Sequence, residues 1–373
     1  MRLCLIANPN SIHTQRWVRH FAGRGHEIHL LGDKPLIGAP PAGATFHDLT
    51  RQNNAAKLRY LVWARTVRRL VRQIRPDVLH AHQVASAGWL AAAAGYHPLL
   101  VTAWGSDLLL GAARSPLQRQ LARWVLGRAD YVTCVSVQLV EAAQALGAPA
   151  GRVELTPWGV DTALFHPDEA ANARPPLVLS IRGIKPVYNP LLIAQAIPAV
   201  LAARPDARFV IRTYSGDPEL LATFRELVAQ GNAAGAVEYI GDLADDRAIA
   251  DLYRQAAVVV SVPASDGTPQ SVLEAMACGA TPVVSDLPAL RPWVRHEQEG
   301  LVTPVGDAAA LAGAIVRLLD DEALRAALRA AAVRRVQQRA DSRLWMERYQ
   351  QIYQQLAAGQ PPRAPLSPFG EEP

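Results

Sequence analysis

The sequence of 373 residues has little of what marks a membrane-spanning, secreted or disulfide-bonded protein. Its longest apolar runs, such as 91–94 and 108–110, are far too short to cross a bilayer. The start of the chain lacks the extended apolar core and the small-residue cleavage site of a signal peptide, so we expect none. Only three cysteines occur, scattered in apolar surroundings, which predicts buried, reduced thiols in a cytoplasmic protein.

Signatures of metal and nucleic-acid binding are absent as well. No Asp-x-Asp occurs, so the usual carboxylate grip on a metal-bound diphosphate is missing, and the ten histidines show no ligand spacing. We therefore expect neither a metal site nor a cofactor. Binding to nucleic acid would need stacking aromatics on a recognisable module, and the sequence shows none.

The charge that is present is distributed unevenly. Residues 1–170 carry 18 Lys and Arg against 11 Asp and Glu, whereas the remainder carries 20 against 22. The basic excess is concentrated in 51–75 and 114–128. A basic amphipathic helix of this kind fits an anionic lipid surface, which would place the protein peripherally at the inner face of the membrane. A solvated charged face on a helix that packs against a sheet explains the pattern equally well.

The length favours two domains, and the hydrophobic pattern alternates strand with helix twice over. The predicted strands are 3–7, 28–31, 78–81, 99–102, 131–135 and 153–156, then 177–181, 209–213, 237–240, 258–262, 281–284 and 301–303. This alternation predicts an α/β protein with two doubly wound parallel sheets, which bind ligands at the carboxyl ends of their strands. The predicted divisions are a domain at 1–166, a linker at 167–176, a domain at 177–340, a C-terminal helix at 341–358 with a return to the first domain as one option, and a disordered tail at 359–373.

The most informative stretch runs from Ser265 to Asp286. Asp266 and Glu274 are separated by seven residues. Asp266 lies just before a turn that begins with glycine, and Glu274 lies in the first coil of the helix that follows, which Gly279 ends. A helix N-terminus presents free backbone amides and a positive dipole, which suit a diphosphate. A carboxylate within the helix can accept hydrogen bonds from a ribose, and one just before it reaches the group beyond the phosphates. The stretch therefore predicts a cradle for a nucleotide-sugar.

An ordered set of motifs covers nearly the whole chain. The matching segments are HTQRW (13–17), PWGVD (157–161), VEYIG (237–241), LEAMACG (273–279), PVVSD (282–286) and EGLVTP (299–304). The set resembles the retaining glycosyltransferases of family 4. This resemblance implies the GT-B fold, in which two Rossmann-like domains face a cleft. It also implies transfer of a sugar from a nucleoside-diphosphate-sugar to a glycan or lipid-linked acceptor, with the acceptor domain first and the donor domain second.

The resemblance assigns roles on the donor side. It implies that Glu274 contacts the nucleotide ribose and that Asp266, one methylene shorter than the family's Glu, contacts hydroxyls of the donor sugar. Arg182 matches a family Arg that neutralises the leaving diphosphate. The family's Lys would fall near 187–188, so Lys185 is displaced. Either Lys185 reaches the diphosphate from a reshaped loop, or Arg182 binds the diphosphate together with Tyr188 and Asn189. The further donor-binding candidates are Gly267, Thr268, Gln270, Ser271, Tyr188 and Asn189.

The acceptor side departs from the family. Trp104 stands where many relatives carry a His that faces the reacting sugar, and an indole cannot accept a proton. Asp107 is then the nearest polar candidate, together with His82 after the strand at 78–81. Asn10 and His13 follow the first strand and predict an acceptor-side loop.

Two classes of function remain open. In retaining transfer the leaving phosphate itself can take the acceptor proton, so loss of a protein His is tolerable and metal-independent transfer is the leading interpretation. The alternative is a non-catalytic protein or subunit of the same fold that binds a nucleotide-sugar, which Trp104 and the displaced Lys185 favour. The retained Glu274 and Arg182 argue for the enzyme. A sugar-nucleotide epimerase fits worse, because it would need acid and base residues that the sequence does not supply. The strand residue His80 is interpreted mainly as a structural, hydrogen-bonded histidine.

Overall fold

The computed structural model describes residues 1–51, 59–105, 108, 115–168, 176–214 and 216–362. The chain divides into two compact units, each with its own sheet. Unit 1 comprises Met1–Trp158 and Trp345–Pro373, and unit 2 comprises Gly159–Leu344. Within the described ranges, no helix is both long and apolar enough to cross a bilayer.

Unit 1 is built on a seven-stranded, all-parallel sheet in the order β3-β2-β1-β4-β5-β6-β7. Its strands are β1 (Arg2–Ala7), β2 (Glu27–Gly32), β3 (Ala44–Asp48), β4 (Val78–His82), β5 (Leu99–Ala103), β6 (Tyr131–Cys134) and β7 (Val153–Leu155). Its described helices are α1 (Ile12–Gly23), α2 (Arg59–Ile74), α3 (Ser86–Ala94), α4 (Pro116–Arg128) and α5 (Val137–Ala145). The strand order reverses between β1 and β4, and doubly wound sheets bind ligands at the carboxyl ends of such neighbours.

Unit 2 repeats this plan with six parallel strands in the order β10-β9-β8-β11-β12-β13. The strands are β8 (Leu177–Ser180), β9 (Arg208–Arg212), β10 (Val237–Ile240), β11 (Val258–Ser261), β12 (Thr281–Ser285) and β13 (Leu301–Thr303). The helices are α6 (Pro190–Ala203), α7 (Pro218–Gln230), α8 (Asp246–Gln255), α9 (Gln270–Ala277), α10 (Ala308–Asp320) and α11 (Glu322–Arg339), followed by α12 (Ser342–Ala357), which spans the unit boundary. Here the order reverses between β8 and β11.

The sequence predicted every strand except β3. The interior strands are buried on both faces, so their sequences are continuous apolar runs. Strand β3 lies at the edge of its sheet, and none of its five residues is buried. An edge strand of this kind lacks the apolar run on which the prediction depends.

The segment after Trp158 is fixed to unit 2. The Arg254 guanidinium donates to the carbonyls of Leu164 and His166, at 2.6 and 2.9 Å, and Val160 forms an isolated parallel bridge with Asp341. The predicted domain boundary at 166 therefore falls inside unit 2. Most of the predicted linker, 169–175, and most of the predicted tail, 363–373, lie outside the described residues.

Helix α12 packs against the unit 1 sheet through buried polar contacts as well as apolar ones. The Tyr353 hydroxyl lies 2.9 Å from the Trp17 indole nitrogen, which donates to it, and 2.7 Å from His80 Nδ1. His80 Nε2 in turn lies 2.7 Å from the Thr102 hydroxyl. A hydroxyl that accepts from the indole keeps its own hydrogen to donate, and His80 Nδ1 accepts it when the ring proton is on Nε2. His80 is thus the structural histidine that the sequence analysis favoured.

The three cysteines are buried and free, as predicted. Burial raises the pKa of the Cys278 thiol to about 12 and also raises the pKa of the fully buried Cys4. Thiols with such pKa values stay protonated at neutral pH and are weak nucleophiles.

Candidate functional site

The loops that follow β8 and β11 lie side by side at the carboxyl edge of the unit 2 sheet. The amide of Ala264 donates to the Val187 carbonyl at 2.9 Å, and the Asn189 side chain donates to the Val262 carbonyl at 3.1 Å. Asn189 adopts a left-handed conformation with φ of 49°, which asparagine tolerates better than most residues. These contacts fix the two loops at the position where the strand order reverses.

Arg182 and Asp266 form an ion pair across these two loops. Arg182 Nε also lies 3.3 Å from the Ser261 hydroxyl, and its guanidinium lies over the Tyr188 ring, 4.9 Å from the centroid. The two charged side chains are only 15% and 10% exposed. A guanidinium has five N–H donors, so these contacts leave donors for an incoming anion.

Helix α9 begins beside this ion pair without a side-chain cap, because its N-cap residue is Pro269. Pro269 contributes only its carbonyl, which accepts from the amides of Val272 and Leu273 at 2.9 and 3.1 Å. The Ser271 hydroxyl is buried and has no hydrogen-bond partner among the described residues. Amides and a hydroxyl at an uncapped helix start are the groups that bind phosphate oxygens in proteins.

Glu274 lies one turn into the same helix. Gln270 donates to Glu274 Oε1 at 3.3 Å and to the Gly159 carbonyl at 2.7 Å, so it connects Gly159 to helix α9. Burial and the charge of Glu274 raise the pKa of Tyr253 well above its ordinary value, and the charges of Arg182 and Arg212 oppose that shift. The same buried hydroxyl therefore senses the charges of these three side chains.

The remaining donor-side candidates occupy the loops themselves. The Gly267 amide donates to Asp266 Oδ1 at 2.9 Å, and the Thr268 carbonyl accepts from the Gln270 amide at 2.8 Å. Lys185 is exposed, and its side chain makes no hydrogen bond or ion pair with any residue that the structure describes. Across the described ranges, no three His, Cys, Asp or Glu side chains come together as a metal-binding group.

In unit 1 the acceptor-side candidates form an aromatic cluster. The His13 ring stacks on Trp158 at a centroid distance of 4.5 Å and meets Trp104 edge-on at 5.7 Å. Trp104 is perpendicular to Trp158 at 4.7 Å and lies 5.3 Å from His82. The Trp104 indole, which the resemblance places at a histidine position, is therefore packed among rings that lie at or after the carboxyl ends of β1, β4 and β7.

His82 is the last residue of β4 and is 2% exposed. Neither ring nitrogen has a hydrogen-bond partner in the described part of the chain. Burial, reinforced by the charge of His13, lowers its pKa to about 3, so the ring is neutral at physiological pH. Unlike His80, this histidine has no hydrogen bond to a described residue that would account for a polar ring in the core.

Asn10 is not in this cluster. The Asn10 side chain donates to the Pro35 carbonyl at 2.7 Å and accepts from the Ile37 amide at 2.8 Å, so both of its polar atoms hold the loop after β2. Asp107 lies outside the described residues.

Two family models match the chain, "Glycosyl transferase 4-like" over residues 2–136 and "Glycosyl transferases group 1" over residues 161–335. Together these models cover 310 of the 373 residues, 135 and 175 respectively, and the chain belongs to the family of glycosyl transferases that they describe. It is 31% identical to D-inositol 3-phosphate glycosyltransferase of Acidothermus cellulolyticus, over 65% of this chain and 60% of that protein's length. It is 29% identical to phosphatidyl-myo-inositol mannosyltransferase of Mycolicibacterium smegmatis, over 84% of this chain and 81% of the relative.

Among solved structures, Anabaena Alr3699/HepE in complex with UDP and glucose is similar to this chain with a TM-score of 0.75 and 17% identity, covering 96% of this chain and all of that one. With the two parallel sheets, this likeness confirms the predicted GT-B fold. Family membership likewise confirms the resemblance that the motifs indicated.

For this member of the family, the structure adds two side chains that the sequence analysis did not select. Trp158 belongs to the PWGVD motif, but its contact with His13 depends on strands that are distant in sequence. Arg212 is the last residue of β9, and it lies at the same carboxyl edge as Arg182. A charged residue at the carboxyl end of a predicted buried strand was the available signal for Arg212.

Proposed function

We propose that this protein is a retaining glycosyltransferase that moves a sugar from a nucleoside-diphosphate-sugar to a hydroxyl of a glycan or lipid-linked acceptor. The arrangement of Arg182, Asp266 and the uncapped start of α9 at the strand reversal of unit 2 carries the proposal. Relatives named for inositol phosphate and phosphatidylinositol acceptors support it, as does a neighbouring fold that binds UDP and glucose.

In this proposal Arg182 and the amide and hydroxyl of Ser271 at the start of α9 hold the diphosphate, while Glu274 accepts hydrogen bonds from the ribose and Asp266 from the sugar. The bond between the anomeric carbon and the phosphate oxygen breaks, and a bond from the acceptor oxygen to the same carbon forms on the same face. The acceptor proton passes to the departing phosphate oxygen. The positive charge of Arg182 stabilises the developing negative charge, which is the main source of acceleration in such sites.

We also propose that the transfer is independent of a metal ion. The support is the cationic and amide-rich donor edge, together with a sequence that contains no Asp-x-Asp. A guanidinium can neutralise a diphosphate with paired hydrogen bonds. In metal-dependent sites, Mg²⁺ neutralises the diphosphate instead.

A donor panel tests both statements. The protein, stripped with EDTA, is incubated with UDP-glucose, UDP-galactose, UDP-N-acetylglucosamine or GDP-mannose, with inositol phosphate or phosphatidylinositol vesicles as acceptors. We expect release of UDP or GDP from one donor, at a rate that added Mg²⁺ or Mn²⁺ changes less than about twofold.

Three outcomes of the panel would contradict parts of the proposal. No release from any donor would overturn the glycosyltransferase. Activity that EDTA abolishes and Mn²⁺ restores would overturn metal independence. Thermal stabilisation by UDP or GDP without turnover would establish the non-catalytic alternative.

The acceptor side of the proposal includes an anionic membrane surface. Helices α2 and α4, which both contact α3, carry eight arginines and no lysine, aspartate or glutamate. Three leucines are exposed between these arginines: Leu61 by 51%, Leu117 by 69% and Leu121 by 38%. Guanidiniums interleaved with exposed apolar side chains match a surface of anionic headgroups over acyl chains.

Vesicle sedimentation checks this surface. We expect binding to vesicles that contain phosphatidylglycerol and none to pure phosphatidylcholine. Each basic residue near an anionic surface contributes about 1 kcal/mol, so Arg119→Gln with Arg123→Gln should weaken binding about tenfold or more. Arg317→Gln, which removes an exposed arginine of unit 2, serves as the control. Equal binding to both kinds of vesicle, or no effect of the double substitution, would contradict the assignment.

A further inference from the structure

Arg212 emerges beside Arg182 at the donor edge of unit 2. Strand β9 pairs with β8 in parallel, and the register places Ser180 opposite Ile211. The next residue of β9 is Arg212, and the chain after Ser180 leads directly to Arg182. The two arginines therefore leave adjacent strands at the same end of the sheet.

Among the described residues, the guanidinium of Arg212 has no anionic partner. It lies over the Tyr214 ring, 3.9 Å from the centroid, and its Nε is buried without a hydrogen-bond partner among the described residues. In that same part of the chain it makes no ion pair either. Arg182, in contrast, is paired with Asp266. A buried N–H of a charged group without an acceptor is costly to a fold, so the placement points to an acceptor that binds from outside.

The loops after β8 and β9 are held against each other. A Cβ on Gly183 would lie 2.6 Å from the Tyr214 carbonyl oxygen, so only glycine allows this approach. The Asp217 amide donates to the Ile184 carbonyl at 2.8 Å. These contacts fix Tyr214, and with it the platform under the Arg212 guanidinium, next to the loop that carries Arg182.

We propose that Arg212 is the second cation of the donor site and that it binds the phosphates of the nucleoside diphosphate. It would supply the positive charge for which the resemblance named a lysine, whereas Lys185 is exposed at the surface of its loop. The inference rests on the proposed function of unit 2 and adds a phosphate-binding residue from β9.

Titration calorimetry with UDP and GDP, each compared with its monophosphate, tests this role in the full chain. Arg212→Gln should weaken binding of the diphosphate about tenfold or more, because a charge-assisted hydrogen bond is lost. The loss should be larger for the diphosphate than for the monophosphate. Arg212→Lys keeps the charge and should restore part of the affinity. The matched control is Arg208→Gln, at the exposed amino end of the same strand.

The outcomes separate this inference from the proposed function. If the unsubstituted protein binds neither UDP nor GDP, both fail. If it binds one of them and Arg212→Gln binds equally well, the inference alone is overturned. Equal losses for diphosphate and monophosphate, or no restoration by lysine, would also overturn it, because either result would mean that Arg212 acts on the base or on the fold.

Discussion

Replacing Arg182 with glutamine should lower kcat/KM for nucleoside diphosphate release by about 100- to 1,000-fold. The substitution removes the cation that the proposed function assigns to the leaving group. It also leaves the Asp266 carboxylate, which is only 10% exposed, without its partner. An uncompensated carboxylate next to a diphosphate repels it, so the affinity for the nucleotide falls together with the rate. The measurement is the initial rate of UDP or GDP release, with nucleotide affinity from calorimetry.

Two companion variants make this prediction specific. Arg317→Gln removes an arginine of the same unit that pairs with Glu297, but both side chains are about half exposed, and we expect the rate to be unchanged. Asp266→Asn keeps the shape of the pair and removes the negative charge. It should reduce kcat while nucleotide affinity is kept or improved, because Asp266 is assigned to the donor sugar. Equal turnover by Arg182→Gln and the unsubstituted protein would contradict the assignment of the leaving-group cation.

Unit 1 should lose stability steeply as the pH falls below about 6.5, the ordinary pKa of histidine. Burial lowers the pKa of His82 to about 3 and that of His80 well below its ordinary value. In this range the unfolded chain binds two protons that the folded unit excludes, so the free energy of unfolding falls with pH. His82 contributes about 1.4 kcal/mol per pH unit, so it alone costs about 2 kcal/mol between pH 6.5 and 4.5, and His80 adds to the loss in the same direction.

Urea unfolding followed by tryptophan fluorescence measures this effect, since seven of the eight tryptophans belong to unit 1. His82→Leu should reduce the dependence of the unfolding free energy on pH and leave stability at pH 7.5 equal or higher, because no hydrogen bond to a described residue is lost. His80→Leu removes the same titration but orphans the hydroxyls of Tyr353 and Thr102, so it should destabilise the unit at every pH. If neither substitution changes how the free energy of unfolding depends on pH, the two histidines are not the groups that destabilise unit 1 at low pH.

The donor side could largely be predicted from the sequence because its parts are local. Asp266, the start of α9 and Glu274 lie within nine consecutive residues, and a helix fixes their spacing. Arg182 could be placed because it directly follows a buried apolar strand. That it pairs with Asp266 depends on which strand lies beside β8, and strand order is a property of the whole sheet.

The acceptor side could be predicted only in part, because it is assembled from distant segments. His80 and His82 are two residues apart on one strand and look alike in sequence. The difference between them is made by α12, whose Tyr353 bonds to His80 from more than 270 residues away. Trp158 could not be predicted for the same reason, because it is distant in sequence from His13, on which it stacks.

Amide hydrogen exchange with and without saturating UDP or GDP tests most directly that unit 2 holds the nucleotide at its strand reversal. We expect slower exchange in 181–189 and in 266–274, with smaller changes elsewhere in unit 2 and none in the unit 1 sheet. Protection confined to unit 1, or none anywhere while calorimetry shows binding, would contradict it.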